Sequence, residues 1–230
     1  VRRLLAVLAL ALLGGAGAGN RLDIERVVFS PDGTRALVVE AGTLDGSGVG
    51  AARLWVLSTT TGAVLRRAQA RAEAPDPAPV VAGLLRQEAS VLRQHALNPA
   101  RRARPVYARS FPVMAPVWAE GTGAGTTLIR PVRLWTVPVP VALRVQPLAS
   151  SCRWRDLLPT GASPAGFTLT VRDQVIHRDR VLPPERECAA RYALDRVYVQ
   201  GNRAVFLVRA YTPGFEGPNA DVVPVAARLR

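Results

Sequence analysis

Two glycine-rich loops carry the side chains with the clearest chemical potential. The first, residues 42–50, presents Asp45 and Ser47; the second, residues 212–220, presents Phe215 and Glu216. Glu40 and Asp221 stand at the loop edges. Carboxylates gathered this way are hard oxygen ligands of the kind that suits Ca²⁺. The same acids can instead satisfy backbone N–H groups or a neighbouring guanidinium such as Arg53, and this second reading is preferred. Asp45, Ser47, Phe215 and Glu216 are therefore the candidate ligand- or metal-binding residues, and no resident cofactor is expected. No catalytic residue is assigned. Residues 46–51 partly match a dinucleotide-binding fingerprint, but that motif needs a strand before it and a helix after it; here a strand follows. Ser47 does not sit in a Gly-x-Ser-x-Gly elbow, because Leu44 and Asp45 precede Gly46. His95 and His177 fall in different elements, without the spacing of metal ligands.

The loops are positioned by a stretch that occurs twice. Glu25-Arg26-Val27 matches Asp195-Arg196-Val197, and Arg35-Ala36-Leu37 matches Arg203-Ala204-Val205. Each copy reads as strand, tight turn, strand, glycine-rich loop, strand. Strands are expected over Arg26–Phe29, Arg35–Glu40, Ala52–Ser58 and Ala63–Arg66 in the first copy, with a turn at Ser30-Pro31-Asp32-Gly33. The loop over residues 42–50 looks too long and too rich in glycine for a minimal hairpin. Four short antiparallel strands in this order resemble one blade of a β-propeller. Only two copies are found, too few for a closed propeller. Matching strands imply matching loop positions, so both loops should lie at the same end of the molecule.

Between the copies, residues 73–79 form a proline-rich linker. Asp76 before Pro77 offers a helix start. Val81, Leu85, Ala89, Leu92 and Ala96 then recur at helical spacing, predicting one amphipathic helix that ends before Asn98-Pro99 and packs on the protein's own sheet. Further strands are expected over 126–136, 139–145, 167–171 and 174–177. Residues 137–140, Val-Pro-Val-Pro, read as an edge or a crossing, since proline cannot donate to a sheet ladder.

Composition sets the remaining bounds. The chain of 230 residues carries a net charge of +13, and all 30 basic residues are arginine. The arginines are dispersed along strands, which argues against nucleic-acid binding; an affinity for a cell envelope or another anionic surface fits better. Val1-Arg2-Arg3, an apolar run to Leu13 and Ala16-Gly17-Ala18 have the form of a secretory signal peptide over residues 1–18. No stretch reads as a membrane span. Export would place Cys152 and Cys188 where disulfides persist, and two cysteines allow one pairing. The alternative, a catalytic thiol, would need a His or a cation beside it.

Four local motifs carry a family resemblance: Phe29-Ser-Pro-Asp-Gly33, Asp45-Gly-Ser-Gly48, residues 182–192 from Leu182-Pro-Pro-Glu to Tyr192, and Gly214-Phe-Glu-Gly-Pro218. In that order they resemble a bacterial family of predicted secreted proteins, domain of unknown function 2259, over about residues 22–229. The resemblance implies export and a shared fold, and no activity. The expectation is thus a mainly β protein of antiparallel sheets, with propeller-blade-like units at 23–67 and 192–229 and one amphipathic helix between them. Residues 19–230 form a single secreted or periplasmic domain. Its function reads as non-catalytic binding or envelope association with an unknown partner; the alternative is an extracytoplasmic hydrolase at the paired loops.

Overall fold

The structure is a computed structural model and describes residues 19–111 and 115–230. The expected leader, residues 1–18, lies outside the described residues. The first repeat folds as an antiparallel meander of β1 (Asp23–Phe29), β2 (Arg35–Leu44), β3 (Val49–Ser58) and β4 (Val64–Ala72), paired in chain order. Asp32 closes the β1–β2 turn: its carboxylate accepts from Ser30 Oγ at 2.6 Å and from the Thr34 N–H at 3.0 Å. Gly33 takes a φ of 70° there, a conformation in which a side chain would be strained.

The expected single helix is two: α1 (Ala78–Gln87) and α2 (Ala89–Gln94). The break falls at Glu88, whose buried carboxylate accepts both Nε and Nη2 of Arg66 on β4, at 2.8 and 2.7 Å. A charge on the sheet-facing side satisfies itself by leaving the helical path. Of the expected stripe, Val81 and Leu92 are buried against the first sheet; Val80 and Leu84, which the stripe did not include, join them, while Leu85 and Ala89 are half-buried and Ala96 is exposed. Asp76 accepts the Ala78 N–H at 2.9 Å, although Pro77 holds the N-cap position.

Two short strands that the sequence did not announce follow, β5 (Tyr107–Ala108) and β6 (Thr122–Gly123), both paired with β11 (Arg191–Gln200). The second sheet comprises β7 (Thr127–Val132), β8 (Val139–Pro147), β9 (Ala165–Val171) and β10 (Gln174–Arg178), in the order β10-β9-β8-β7. The Val-Pro-Val-Pro segment is not an edge: Val139 and Pro140 open the interior strand β8. Pro140 is tolerated because it pairs with Pro131 next to the β7–β8 turn, so the missing donors fall at the end of the ladder.

The second repeat supplies β11, β12 (Arg203–Pro213) and β13 (Pro218–Arg228), and the third sheet runs β13-β12-β11-β5. The two repeats agree in detail. β1 bulges between Ile24 and Arg26, and β11 bulges between Leu194 and Arg196, so Glu25 and Asp195 are equivalent bulge residues. The glycine-rich loops are tighter than expected. Leu44 pairs with Val49 and Pro213 with Pro218, leaving only residues 45–48 and 214–217 outside the ladders. In the first loop, positive φ at Gly46 and Gly48 makes this short hairpin accessible.

The sheets are stacked. One face of the third sheet, with Leu194, Phe206 and Val208, packs on Leu143, Phe167 and Leu169 of the second. Its other face, with Tyr198, Val205 and Leu207, packs on Val27, Val38 and Trp55 of the first. The far face of the first sheet, with Leu37, Val39 and Leu54, is covered by α1 and α2. The layers are therefore second sheet, third sheet, first sheet, helices. Alternate residues of β12 enter opposite cores, which explains its nearly unbroken apolar sequence. No barrel or propeller closes among the described residues. Cys152 and Cys188 are joined, fastening the approach to β9 to the approach to β11.

Candidate functional site

The two glycine-rich loops lie at the same end, bridged by Asn20, which the sequence did not single out. The Asn20 side-chain oxygen accepts the Asp45 N–H at 2.7 Å, and its own N–H and side-chain amide donate to Asn219 Oδ1 at 3.0 and 3.1 Å. Asp45, Ser47 and Glu216 are exposed. Asp45 Oδ1 accepts the Gly46 N–H at 2.9 Å, and Ser47 Oγ lies 3.3 Å from the Val49 N–H it accepts, so both stabilise the local turn. Phe215 is 96% exposed, so its ring is no part of the core. Among the described residues no group of three or more His, Cys, Asp and Glu could hold a metal ion.

Below the loops a chain of charges joins the first and third sheets. Arg53 on β3 donates to Glu40 Oε1 on β2 at 3.1 Å and also to Asp221 on β13. Arg209 on β12 donates Nε–H to Asp195 Oδ2 at 2.7 Å and Nη1–H to the Ala220 carbonyl at 3.0 Å. Its Nη1 stands 3.8 Å from Glu40 Oε2, an oxygen with no hydrogen-bond partner. Burial pushes the Glu40 carboxyl up to about 7; the pull of Arg209 and Arg53 offsets only part of this, and Asp221 adds to the rise. Burial alone would lower Arg53, yet Asp221 and Glu40 together raise it. The preferred role of the loop-edge acids as Arg53 partners is thus present at Glu40 and Asp221. The Asp195 bulge aims a carboxylate at Arg209 that a regular strand would turn to the other face.

A second cluster sits in and beside the second sheet. Asp179 accepts two hydrogen bonds from Arg186, at 2.8 and 2.9 Å, and one from the Phe167 N–H at 3.0 Å. His177 Nε2 lies 3.0 Å from the same carboxylate, and its ring stacks on Phe167 with centroids 4.5 Å apart. Burial would raise the Asp179 carboxyl, but the bonds from Arg186, His177 and Phe167 hold it well below the usual range. Tyr192 donates to the Ala165 carbonyl at 2.6 Å and accepts from Arg186 at 3.3 Å. Burial raises its phenol despite the nearby Arg186.

Between these clusters runs a cleft of about 660 Å³, floored by residues 221–226 of β13. β3 and β4 contribute Trp55, Arg67 and Gln69 to one wall; β10 contributes Ile176, His177 and Arg178 to the other. Arg53 and Asp221 mark one part of the cleft, and Gly62 and Ala226 another. Arg67 donates to Glu185 across it at 2.7 Å. A more open hollow of about 930 Å³, lined by Trp135, Arg172, Asn202 and Arg228, has no buried charge in its walls.

Asp45, Ser47, Phe215 and Glu216 do not line the cleft, whereas the loop-edge Asp221, its neighbour Arg53 and His177 do. That these and the remaining members share one site was not visible in the sequence, because they come from all three sheets and only the stacking order brings them together. Two signals were present: Pro224, a proline inside an otherwise regular strand, and Arg186, within a family-like motif of unstated role.

Among the described residues no helix is long and apolar enough to cross a membrane. No curated protein matches this chain, and no solved structure does. One family model, described as "Predicted secreted protein", matches residues 36–228, starting fourteen residues later than the span suggested by the motifs. With its core strands, paired loops and disulfide inside that match, the chain belongs to the family of predicted secreted proteins, domain of unknown function 2259.

Proposed function

We propose that this exported protein is a non-catalytic binding or envelope-associated protein, with the cleft over β13 as its ligand seat and no resident cofactor. The observation that carries the reading is the state of the cleft's charged groups. Arg53, Arg67, Arg186, His177, Asp221 and Glu185 are all engaged with fixed partners. Such an arrangement holds a surface in shape and leaves no group poised to attack or transfer a proton. The exposed Phe215 fits a contact for a partner at the loop end. We read the two repeats as propeller-blade-like units, stacked rather than ringed, on the strength of their shared bulge and loop register.

Amide NMR titration tests the seat. Poly-glutamate, polygalacturonate and phosphatidylglycerol vesicles serve as probes of anionic surfaces. Shifts are expected at residues 67–69, 176–178 and 221–226. If all three probes leave these amides unmoved, the reading fails. The bridging of both loops by Asn20 favours the second reading, a hydrolase at the loop end. Turnover of ester or peptide substrates that disappears in Asp45→Ala and Glu216→Ala would establish it.

A further inference from the structure

The third sheet, lying between the first and the second, runs β13-β12-β11-β5 and has β13 as an edge strand. β3 of the first repeat is followed in its sheet by β4; β13, the equivalent of β3, has no such neighbour among the described residues. The cleft is that vacant position. Its walls, β4 and β10, are the terminal strands of the flanking sheets and extend past β13 on either side.

The edge is ready to pair. β12 and β13 pair without a register shift from Arg203–Arg228 to Pro213–Pro218, so backbone groups of β13 alternate strictly between β12 and the open side. Pro224 has no N–H to give β12, which assigns the even-numbered residues to the open side. Two contacts agree: the Ala220 N–H donates outward to the Asn20 carbonyl at 2.9 Å, and the Arg228 carbonyl accepts outward from Gln174 at 3.0 Å. Val222 and Ala226 therefore point their N–H and C=O groups into the cleft. Among the described residues no backbone hydrogen bond from outside the sheet reaches them, but the turn at Gly62 packs against the Ala226 carbonyl and closes that end of the slot. Residues 221–225 offer about 13 Å of edge, enough for a short strand of four or five residues.

The walls state the charge of the occupant. Arg53, Arg67, Arg178 and Arg186 line the cleft; Arg53 and Arg186 are matched by Glu40, Asp221 and Asp179, which leaves Arg178 and Arg67, paired only with the exposed Glu185, to set the charge of the walls. Arg178 makes no ion pair among the described residues. Arg67 and Gln69 lie on the face of β4 opposite Ala68 and Ala70, which pack towards the helices. The side of β4 turned to the vacant position is thus polar and basic. A second copy of the chain is a poor occupant, because its net charge is +13.

We propose that the vacant position beside β13 is a docking slot in which an extended acidic segment of another polypeptide adds to the third sheet as a strand. The proposal rests on the cleft being the ligand seat and names its ligand class. Backbone pairing at Val222, with the Pro224 carbonyl as a further acceptor, supplies the register, and Arg178 together with Arg67, which can exchange its exposed Glu185 partner, selects acidic side chains. Pro224 leaves a gap in the donor row, so the partner needs no acceptor opposite it.

The test uses a blocked octapeptide alternating Glu and Val, its alternating Arg and Val counterpart, and the acidic peptide N-methylated at every second residue. The acidic peptide is expected to bind and to slow hydrogen exchange at the Val222 amide. N-methylation on the paired edge should weaken binding by about tenfold or more, the loss from two or more backbone hydrogen bonds. Arg67→Glu with Arg178→Glu should reverse the preference towards the basic peptide; both side chains are exposed, so the variant retains its core. Failure of the acidic peptide to bind overturns the proposal. Binding that shifts the cleft amides but ignores N-methylation overturns strand addition while leaving the cleft as ligand seat. Polygalacturonate shifting the same amides without protecting Val222, with no peptide binding, would assign the cleft to a polysaccharide instead. Peptide binding that leaves the cleft amides unmoved removes both readings.

Discussion

Replacing Glu40 with Gln should change how stability depends on pH far more than it changes the structure. The carboxyl is fully buried and lies between Arg53 and Arg209, with one oxygen lacking a hydrogen bond. Its titration is raised from an ordinary value of 4.5 to about 7, chiefly by burial. Between those values the folded chain keeps a proton that the unfolded chain releases. The folded state therefore loses stability as pH rises through this window, and the loss is complete above the upper value. The size of the shift corresponds to about 3 kcal/mol. Glu40→Gln keeps the shape and the acceptor that faces Arg53, but cannot ionise. Urea melts of both proteins at intervals from about pH 4 to pH 8 should show wild type losing about 3 kcal/mol relative to the variant. In thermal melts the difference between their midpoints should move by about 10 °C in a protein of this size. Direct carbon NMR of the Glu40 carboxyl should place its midpoint near the upper value. Parallel profiles for the two proteins, or a Glu40 midpoint in the ordinary carboxylate range, would refute the reasoning.

Three further outcomes follow from the clusters. Reducing the Cys152–Cys188 bond, which closes a loop with a sequence separation of 36, should lower stability by about 4 kcal/mol in melts with and without dithiothreitol. Asp179→Asn should destabilise by about 3 kcal/mol, because it leaves the buried Arg186 without a counter-charge. As the wild-type Asp179 carboxyl is lowered, its contribution is present above the unfolded-state value of 3.8 and disappears as pH falls below it, so the two denaturation profiles should converge in acid. Phe215→Ala should leave the melting midpoint unchanged, since the ring touches no core, and reduce only association with a partner that reads the loop end.

Much of the fold is legible in the chain because the repeat is written twice. The strands at 24–40 and 194–209 alternate or run apolar in a way that only a sheet accommodates, and the observed strands contain them. The helix divided because periodicity ignores a single buried charge: Glu88 fits the helical pattern but belongs to Arg66. The loops shortened because glycine count suggests length, whereas positive φ at Gly46 and Gly48 uses glycine for tightness. β5 and β6 are two residues each and exist only because β11 offers them an edge, so no local signal could announce them. The cleft fared worst. Arg67, Arg178 and Val222 acquire a common address only when three sheets stack in an order that the chain does not follow.

That order bears on how the protein becomes native. The middle layer is the last to be made: β11–β13 come after both of the sheets they separate. Until residues 191–228 are present, the apolar faces of Val38, Trp55, Phe167 and Leu169 have nothing to pack against. The hairpins within each sheet close locally, but the contacts between layers must be closed over long stretches of chain, which is the slow kind of closure. The Cys152–Cys188 bond sits at this junction: it ties the approach to β9, in an outer layer, to the approach to β11, the first long strand of the middle one, so the cross-link holds together two layers that the chain builds far apart in its length.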